Sequence, residues 1–387
     1  MAEYIKRIIE EQVIKSLSHN YVTAIIGPRQ SGKSTLARQI VQNFSNSTYL
    51  DLERTSDLAK LADPEWFLTS QRGRLICVDE IQRNPDLFPL MRSLTDEWNY
   101  NGAFLVLGSA SRDLLRQSSE SLAGRISYHT LTPFLWSELG GMSNMEIYQS
   151  KGGFPKSILA PTSGVSFRWR EDFISTFLER DLMQWAGFSP PTMRKLWQML
   201  AHTNGQTTNL SMFAKSLGVS DPTVRTYIDL LQETFMVVSL PPYMSNLGKR
   251  LIRSPKIYIA DSGITAALLG LRDFSQIAGH PVSGSLWEQM VLTNLKGVFE
   301  EAEFFFYRTA GGAEMDIVMQ YYNQVIAIEC KSTLSPSLSK GSYLAIEDIN
   351  PIMTFVVAPV AAGWPLKPKV EVVSLGELIN KIKELLK

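Results

Sequence analysis

Apolar positions in the first 150 residues fall in short, nearly unbroken runs, separated by longer stretches with helical spacing. YVTAIIG (from Tyr21), STYLDL (from Ser47), RLICVDE (from Arg74), AFLVLGS (from Ala103) and ISYHTL (from Ile126) read as strands buried on both faces. Alternation with helices predicts an α/β domain with a mainly parallel sheet over residues 1–150. From about Gly152 to Gly205 the pattern is helical only, and a compact helical unit continues to about Tyr243. After Gly284 the order is helix, three strands, helix, strand and a final helix. This divides the chain into residues 1–150, a mainly helical region at 151–283, and an α/β domain at 284–387.

Composition narrows the function classes. The 387 residues carry 38 Lys+Arg against 38 Asp+Glu, with 44% apolar residues, so the chain buries a real core and is no uniformly basic nucleic-acid binder. Cys77 and Cys330 lie far apart in apolar runs and offer neither a disulfide framework nor a zinc cluster. The N-terminus is amphipathic and charged, unlike a signal peptide. The greasiest stretch, Pro351 to Leu366, is broken by Pro359, Gly363 and Pro365 and falls short of a membrane span. A cytoplasmic protein is the expectation.

The candidate chemistry starts at Gly27-Pro28-Arg29-Gln30-Ser31-Gly32-Lys33-Ser34, which fits G-x-x-x-x-G-K-[ST] between a predicted strand and a predicted helix. Its backbone N–H groups, continued by Thr35, can surround a triphosphate at a helix N-terminus. Lys33 would reach the β- and γ-phosphates and the Ser34 hydroxyl would ligate Mg²⁺. The strand Leu75–Val78 ends in Asp79, a second Mg²⁺ holder through water, and Glu80, which would orient or deprotonate an attacking water. After a third strand, Ser109 is the candidate γ-phosphate sensor, Ser111 is second, and a simple turn serine is the alternative. Arg125 is a candidate for stabilising transition-state charge, in cis or from a neighbouring subunit, with ordinary surface pairing as the alternative.

The run GPRQSGKSTL, with VDEIQRNP, GSASRDLL, SLAGR, LTPFLWSE and GGFP, resembles the AAA+-superfamily ATPases of bacteria and archaea. Within them it is most similar to a branch of ATP-binding proteins with a C-terminal domain of unknown function. FISTFLERDL and KIYIADSGI extend the resemblance over nearly the whole chain. It implies an AAA+-like core with ATP as ligand, and oligomers are common in the wider superfamily. No lid arginine of the kind many AAA+ proteins place on the γ-phosphate is evident.

In the middle region Leu210, Phe213, Ala214 and Leu217 mark one short helix and Val224, Ile228 and Leu231 a second, with Gly218 between and Pro222 in the first turn. This is helix-turn-helix spacing. FMVVSL and KIYIA flank a loop with Lys249, Arg250, Arg253 and Lys256, suggesting a winged helix. DNA contact through Arg225, Lys249, Arg250 and Arg253 stands beside a purely structural or protein-docking role.

In the last region strand alternation puts Glu329 and Lys331 on one face, with Ile326, Ile328 and Cys330 on the other. With Glu288 on the preceding helix and Asp316 on the preceding strand, this resembles the PD-(D/E)XK nuclease fold. The resemblance implies Asp316 and Glu329 as ligands of Mg²⁺ or Mn²⁺, Glu288 as the added helix acid, and Lys331 polarising the attacking water. A buried ion-pair cluster is the alternative. The expected whole is an ATP-hydrolysing domain gating a winged-helix and nuclease-like region that acts on DNA. One alternative is a catalytically silent docking module; another is a nucleotide-sensing DNA-binding regulator without cleavage.

Overall fold

The computed structural model describes residues 4–109, 120–140, 144–181, 189–244 and 252–386. The chain divides into two compact units, Met1–Phe134 with Glu233–Phe235, and Leu135–Gln232 with Met236–Lys387. The sequence-based boundary at 150 thus falls inside the second unit, which also holds most of the regions expected at 151–283 and 284–387.

In the first unit all five apolar runs are strands: β1 (Val22–Gly27), β2 (Ser47–Asp51), β3 (Leu75–Asp79), β4 (Phe104–Ser109) and β5 (Ile126–Thr130). They line up as β2-β3-β4-β1-β5, every pairing parallel. One face packs Ala24, Val78 and Val106 against Phe88, Met91 and Leu94 of the helix Leu87–Trp98. The other packs Ile25, Cys77 and Leu105 against Val13 of the helix Ile9–His19 and Leu36 and Ile40 of the helix Lys33–Val41. Burial on both faces explains the unbroken apolarity of β1, β3 and β4, whereas the edge strands β2 and β5 are mostly half-buried and mix polar residues in. Because they are parallel, their C-terminal ends share one edge, and β4 lies between β1 and β3. The loops leaving that edge are where ligands bind in open α/β sheets.

The second unit contains the helical texture read from sequence. The helix Leu210–Leu217 ends at left-handed Gly218, and the helix Asp221–Glu233 buries Val224, Ile228 and Leu231. These pack with the helix Pro190–His202 and with a small antiparallel sheet ordered β6-β8-β7, comprising β6 (Gln206–Thr207), β7 (Val237–Leu240) and β8 (Lys256–Ile259). The last region begins with the helix Ser283–Val298. An antiparallel meander follows: β9 (Glu303–Arg308), β10 (Glu314–Tyr321) and β11 (Gln324–Cys330). The helix Lys340–Ile349 then crosses to β12 (Met353–Val357), which is parallel to β11.

One difference lies beyond β12. A single strand is expected before the final helix, but β13 (Trp364–Lys367) and β14 (Val370–Val373) extend the sheet to six strands. The proline and glycine that broke the pattern there sit on or next to β13, the edge strand. An edge can lack N–H donors without losing ladder bonds on both sides.

Two runs that carry the family resemblance meet in the second unit as a structural joint. Asp261, buried, caps the helix Ser262–Leu268 by accepting from Ile264 N (2.9 Å), and it also accepts from Gly153 N (2.7 Å). Gly263 approaches so closely that a Cβ there would stand 2.2 Å from the Lys151 carbonyl oxygen. Arg170, fully buried, donates to the carbonyls of Ser150 (2.7 Å) and Gly263 (2.8 Å). Burial pushes the Asp261 carboxyl up, with these N–H donors and Arg170 opposing it. Asp261→Ala should cost about 2–4 kcal/mol, through a lost helix cap and a buried Gly153 N–H left without its acceptor. Urea denaturation followed by circular dichroism measures this, and an unchanged midpoint would remove the joint.

Candidate functional site

At the C-terminal edge of the first sheet the loop leaving β1 is built by backbone shape. Gly27 has φ +150°, and a Cβ there would lie 2.2 Å from the Leu131 carbonyl oxygen. Gly32, at φ +101°, opens the helix Lys33–Val41. Pro28 and Ser31 are buried, Arg29 and Ser34 half-buried, and Gln30 and Thr35 exposed. Ser31 Oγ donates back to the Pro28 carbonyl (2.9 Å), closing the turn.

Lys33 is buried, and its Nζ donates to the carbonyls of Gly27 (3.0 Å) and Pro28 (2.9 Å). Burial lowers its pKa to about 8, against the opposing pull of Glu80 and then Asp79. Asp79, at the end of β3, accepts from Tyr49 Oη (2.6 Å) and from the Glu80 backbone N–H (3.0 Å). Glu80 adopts φ +57°, a left-handed conformation costing a non-glycine residue about 1–3 kcal/mol and typical of functional sites. Burial raises its carboxyl above the usual range, opposed by the Gln82 amide that donates to it and by Lys33. A polyphosphate cradle, a buried ammonium and two acids thus meet at one sheet edge. Ser34 at the helix start and Asp79 supply hard oxygen donors of the kind Mg²⁺ takes.

Of the remaining expected residues, Ser109 ends β4 in register with Gly27. Ser111 lies outside the described residues. Arg125 corrects the expectation of a contact in cis. It precedes β5, level with Tyr21 just before β1, about 20 Å from Gly27 along the strands. There it forms a forked pair with Asp96 (2.6 and 3.0 Å). The sequence reading also missed Arg7. Its guanidinium is buried, donates to the carbonyls of Ser31 (3.1 Å) and Thr132 (2.7 Å), and stacks over Phe134 at 4.6 Å.

In the second unit the expected acids do converge. One step beyond the Ile317–Ile328 pair of β10 and β11, Asp316 and Glu329 come opposite each other. Asp316 accepts from the Cys330 N–H (2.8 Å), and Glu329 accepts from Lys331 Nζ (2.7 Å) and Ser342 Oγ (3.0 Å). Glu288 projects from the helix Ser283–Val298 but meets an unexpected partner. Lys256 on β8 donates to it at 2.9 Å and stands 3.8 Å from Asp316. Tyr258 Oη donates to the same Glu288 oxygen.

Lys256 is therefore no wing cation: it is buried, and its place is fixed by backbone pairing with Thr207 and Leu240. Burial would lower its pKa, but Glu288 and then Asp316 hold it above the usual range. Burial and then Asp316 raise Glu288 to about 7, and the same two causes raise Glu329. Alternation of Lys256 and Tyr258 with Ile257 and Ile259 was the signal in the sequence that could have found them. The donor set does not fit the expected metal. Two ammonium groups already offset most of the acids' charge, and among the described residues no group of three or more His, Cys, Asp or Glu is placed to hold a metal ion. Of the expected DNA contacts, Arg225 and Arg253 are exposed, and Lys249 and Arg250 lie outside the described residues.

Uncharacterized proteins of Mycobacterium tuberculosis (Rv2008c) and Mycobacterium bovis (Mb2031c) are each 37% identical to this chain over 375 residues, covering 96% of it and 84% of the relative. The chain belongs to their family. An uncharacterized protein of Haemophilus influenzae is 22% identical over 296 residues, covering 67% of the chain and 72% of its own length. Residues 19–140 match the family described as AAA domain, and residues 142–275 and 283–378 match two domains of unknown function, DUF8612 and DUF4143. The chain thus carries an AAA-type P-loop ATPase domain, a class that binds nucleotide and usually Mg²⁺. Among solved structures, the Walker-type ATPase PABY2304 of Pyrococcus abyssi aligns with 15% identity and a TM-score of 0.49, over 69% of this chain and 96% of that one. AMPPCP-bound DnaA from Aquifex aeolicus aligns with 12% identity and a TM-score of 0.30, over 58% and 86%. No helix among the described residues is long and apolar enough to cross a membrane.

The lowered pKa of Lys33 makes nucleotide affinity pH-dependent. Below about pH 8 the free protein presents the ammonium; above it the amine is neutral, and binding a polyphosphate must take up a proton. Affinity should therefore fall as pH rises past 8, by up to about tenfold per unit. Titration of a fluorescent ATP analogue between pH 7 and 9.5 reads this, and a flat profile would mean that Lys33 stays charged.

Proposed function

We propose that this protein is an ATP-driven switch that hydrolyses ATP at the Gly27–Thr35 loop and acts through a nuclease-like, winged-helix second unit on DNA. The observation that carries the ATPase half is the meeting of Lys33, Asp79 and Glu80 at one sheet edge, with Lys33 held by the loop's own carbonyls. Loop N–H groups from Gly27, Pro28 excepted, through Arg29, Gln30, Ser31, Gly32, Lys33, Ser34 and Thr35 surround the phosphates. Lys33 exchanges the carbonyls of Gly27 and Pro28 for the β- and γ-phosphate oxygens, which restores its full charge.

Ser34, and Asp79 through water, would hold Mg²⁺, which would neutralise charge on the phosphates. Water oxygen attacks the γ-phosphorus, the bond to the β–γ bridging oxygen breaks, and the water proton passes to Glu80. A carboxyl raised by burial is a better proton acceptor than a solvated one. Ser109 reports the γ-phosphate from the end of β4. Arg125 can serve only another copy of the chain.

In the second unit the helices Leu210–Leu217 and Asp221–Glu233 with β6, β7 and β8 follow winged-helix order, and Asp316, Glu329 and Lys331 follow the PD-(D/E)XK pattern. Arg225 and Arg253 supply exposed charge for DNA phosphates. The Lys256–Glu288 pair favours a second reading of this unit, in which it docks DNA or protein without cutting it.

Lys33→Ala should abolish ATP binding, and Glu80→Gln should retain it while lowering turnover by about 10²–10⁴-fold. Phosphate release and nucleotide retention measure both, and wild-type turnover in either variant would sink the assignment. Incubating plasmid and linear DNA with Mg²⁺ or Mn²⁺, with and without ATP, separates the two readings of the second unit.

A further inference from the structure

In the nuclease-like cluster the cation is already a side chain. Lys256 reaches it from β8, a strand of the small sheet and not of the six-stranded one that carries Asp316 and Glu329. Its ammonium is within 4 Å of three carboxylates: Glu288 at 2.9 Å, Asp316 at 3.8 Å and Glu314 at 3.9 Å. The ammonium also stands over the Phe306 ring, 5.5 Å from its centroid. Lys331 holds the other end through Glu329.

Charge arithmetic follows from these contacts. Glu314 pairs with Arg308 (3.7 Å) and those two charges cancel; Glu288, Asp316 and Glu329 as carboxylates sum to −3, and Lys256 and Lys331 return +2, leaving −1. A divalent ion added to that set would leave +1 in a buried space, where uncompensated charge costs several kcal/mol. Without Lys256 the set stands at −2, which one divalent ion cancels. One Glu329 oxygen, Oε2, is buried with no hydrogen-bond donor, so a coordination position facing the cluster is already desolvated.

We propose that Lys256 is the resident cation of this cluster and keeps it closed to divalent metal, so that the site opens only when β8 and its lysine withdraw. The proposal rests on the nuclease-like reading of the sheet. It assigns autoinhibition to a residue that belongs, by sequence, to the winged-helix region. A metal-requiring activity of the sheet would then depend on a movement of the strand carrying Lys256.

The test uses the full chain, nucleotide-free, in a Lys33→Ala background so that the ATP site contributes no ion. Mn²⁺ is titrated and free ion is followed by electron paramagnetic resonance. With Lys256 present, no site with a dissociation constant below about 1 mM is expected. Lys256→Met should gain one Mn²⁺ per chain at least about tenfold tighter than that, and adding Asp316→Asn should abolish it.

Should Lys256→Met fail to fold, Lys256→Gln keeps a hydrogen-bond donor beside Glu288 and leaves the same charge of −2. That protein should fold and bind Mn²⁺ through Asp316 and Glu329. Tight Mn²⁺ binding by the cluster with Lys256 intact overturns the proposal, as does a folded Lys256 variant that binds none. DNA cleavage by the Mn²⁺-loaded variant reads the nuclease-like assignment separately: metal bound without cleavage upholds the role of Lys256 and removes that assignment.

Discussion

A buried ion must find compensation within hydrogen-bond reach, and each important feature of this protein is a way of meeting that demand. In the first unit Lys33 lies on the carbonyls of its own loop, with Asp79 and Glu80 as counter-charges, and is still depressed to about pKa 8. A phosphate offers it a better environment than the free protein does. The binding preference is thus already stored in the loop itself as an incompletely satisfied ammonium. Arg7 meets the same demand by donating to the Ser31 and Thr132 carbonyls, and in doing so it ties the N-terminal segment to that loop.

The second unit solves the problem differently at two places. Arg170 is held chiefly by carbonyls, and Asp261 by backbone N–H groups, so both tie the joint together. The sequence runs containing Gly153 and Asp261 are conspicuous because geometry at the joint tolerates little else, and no chemistry is needed to explain them. The Lys256, Glu288, Asp316, Glu329 and Lys331 cluster is different in kind: like charges are crowded together, with Asp316 raising both Glu288 and Glu329. Such crowding is expensive for a purely structural cluster and is commonly found at functional sites. The zero net charge of the chain conceals both arrangements, since acids and bases cancel locally around them.

Much of the first unit is legible in the order of its residues. Five short runs bounded by turns read as strands, three of them covered on both faces, and a glycine-rich loop between strand and helix has few structural alternatives. Asp79 and Glu80 are legible because they terminate one of those strands. Arg125 is not, because its meaning depends on which end of the sheet it occupies, and that follows from parallel register. Arg7 and Tyr49 act through contacts 24 and 30 residues distant in sequence, which no local spacing encodes. β13 is hidden because an edge strand accepts the proline and glycine that argue against a strand elsewhere.

The amino-acid sequence by itself determined the local matters: periodicity, the phosphate-binding loop, the helix pair around Gly218, and the alternation that puts Glu329 and Lys331 on one face. These depend on neighbours a few residues apart, where covalent geometry decides. Only the tertiary structure decided that Lys256 lies inside an acidic cluster instead of on a basic wing. The same four-residue strand, KIYI, satisfies either reading until β8 is placed beside the helix bearing Glu288. Whether a lysine is a surface charge or a buried counter-ion is set by the dielectric and partners around it, and those are properties of the assembled fold.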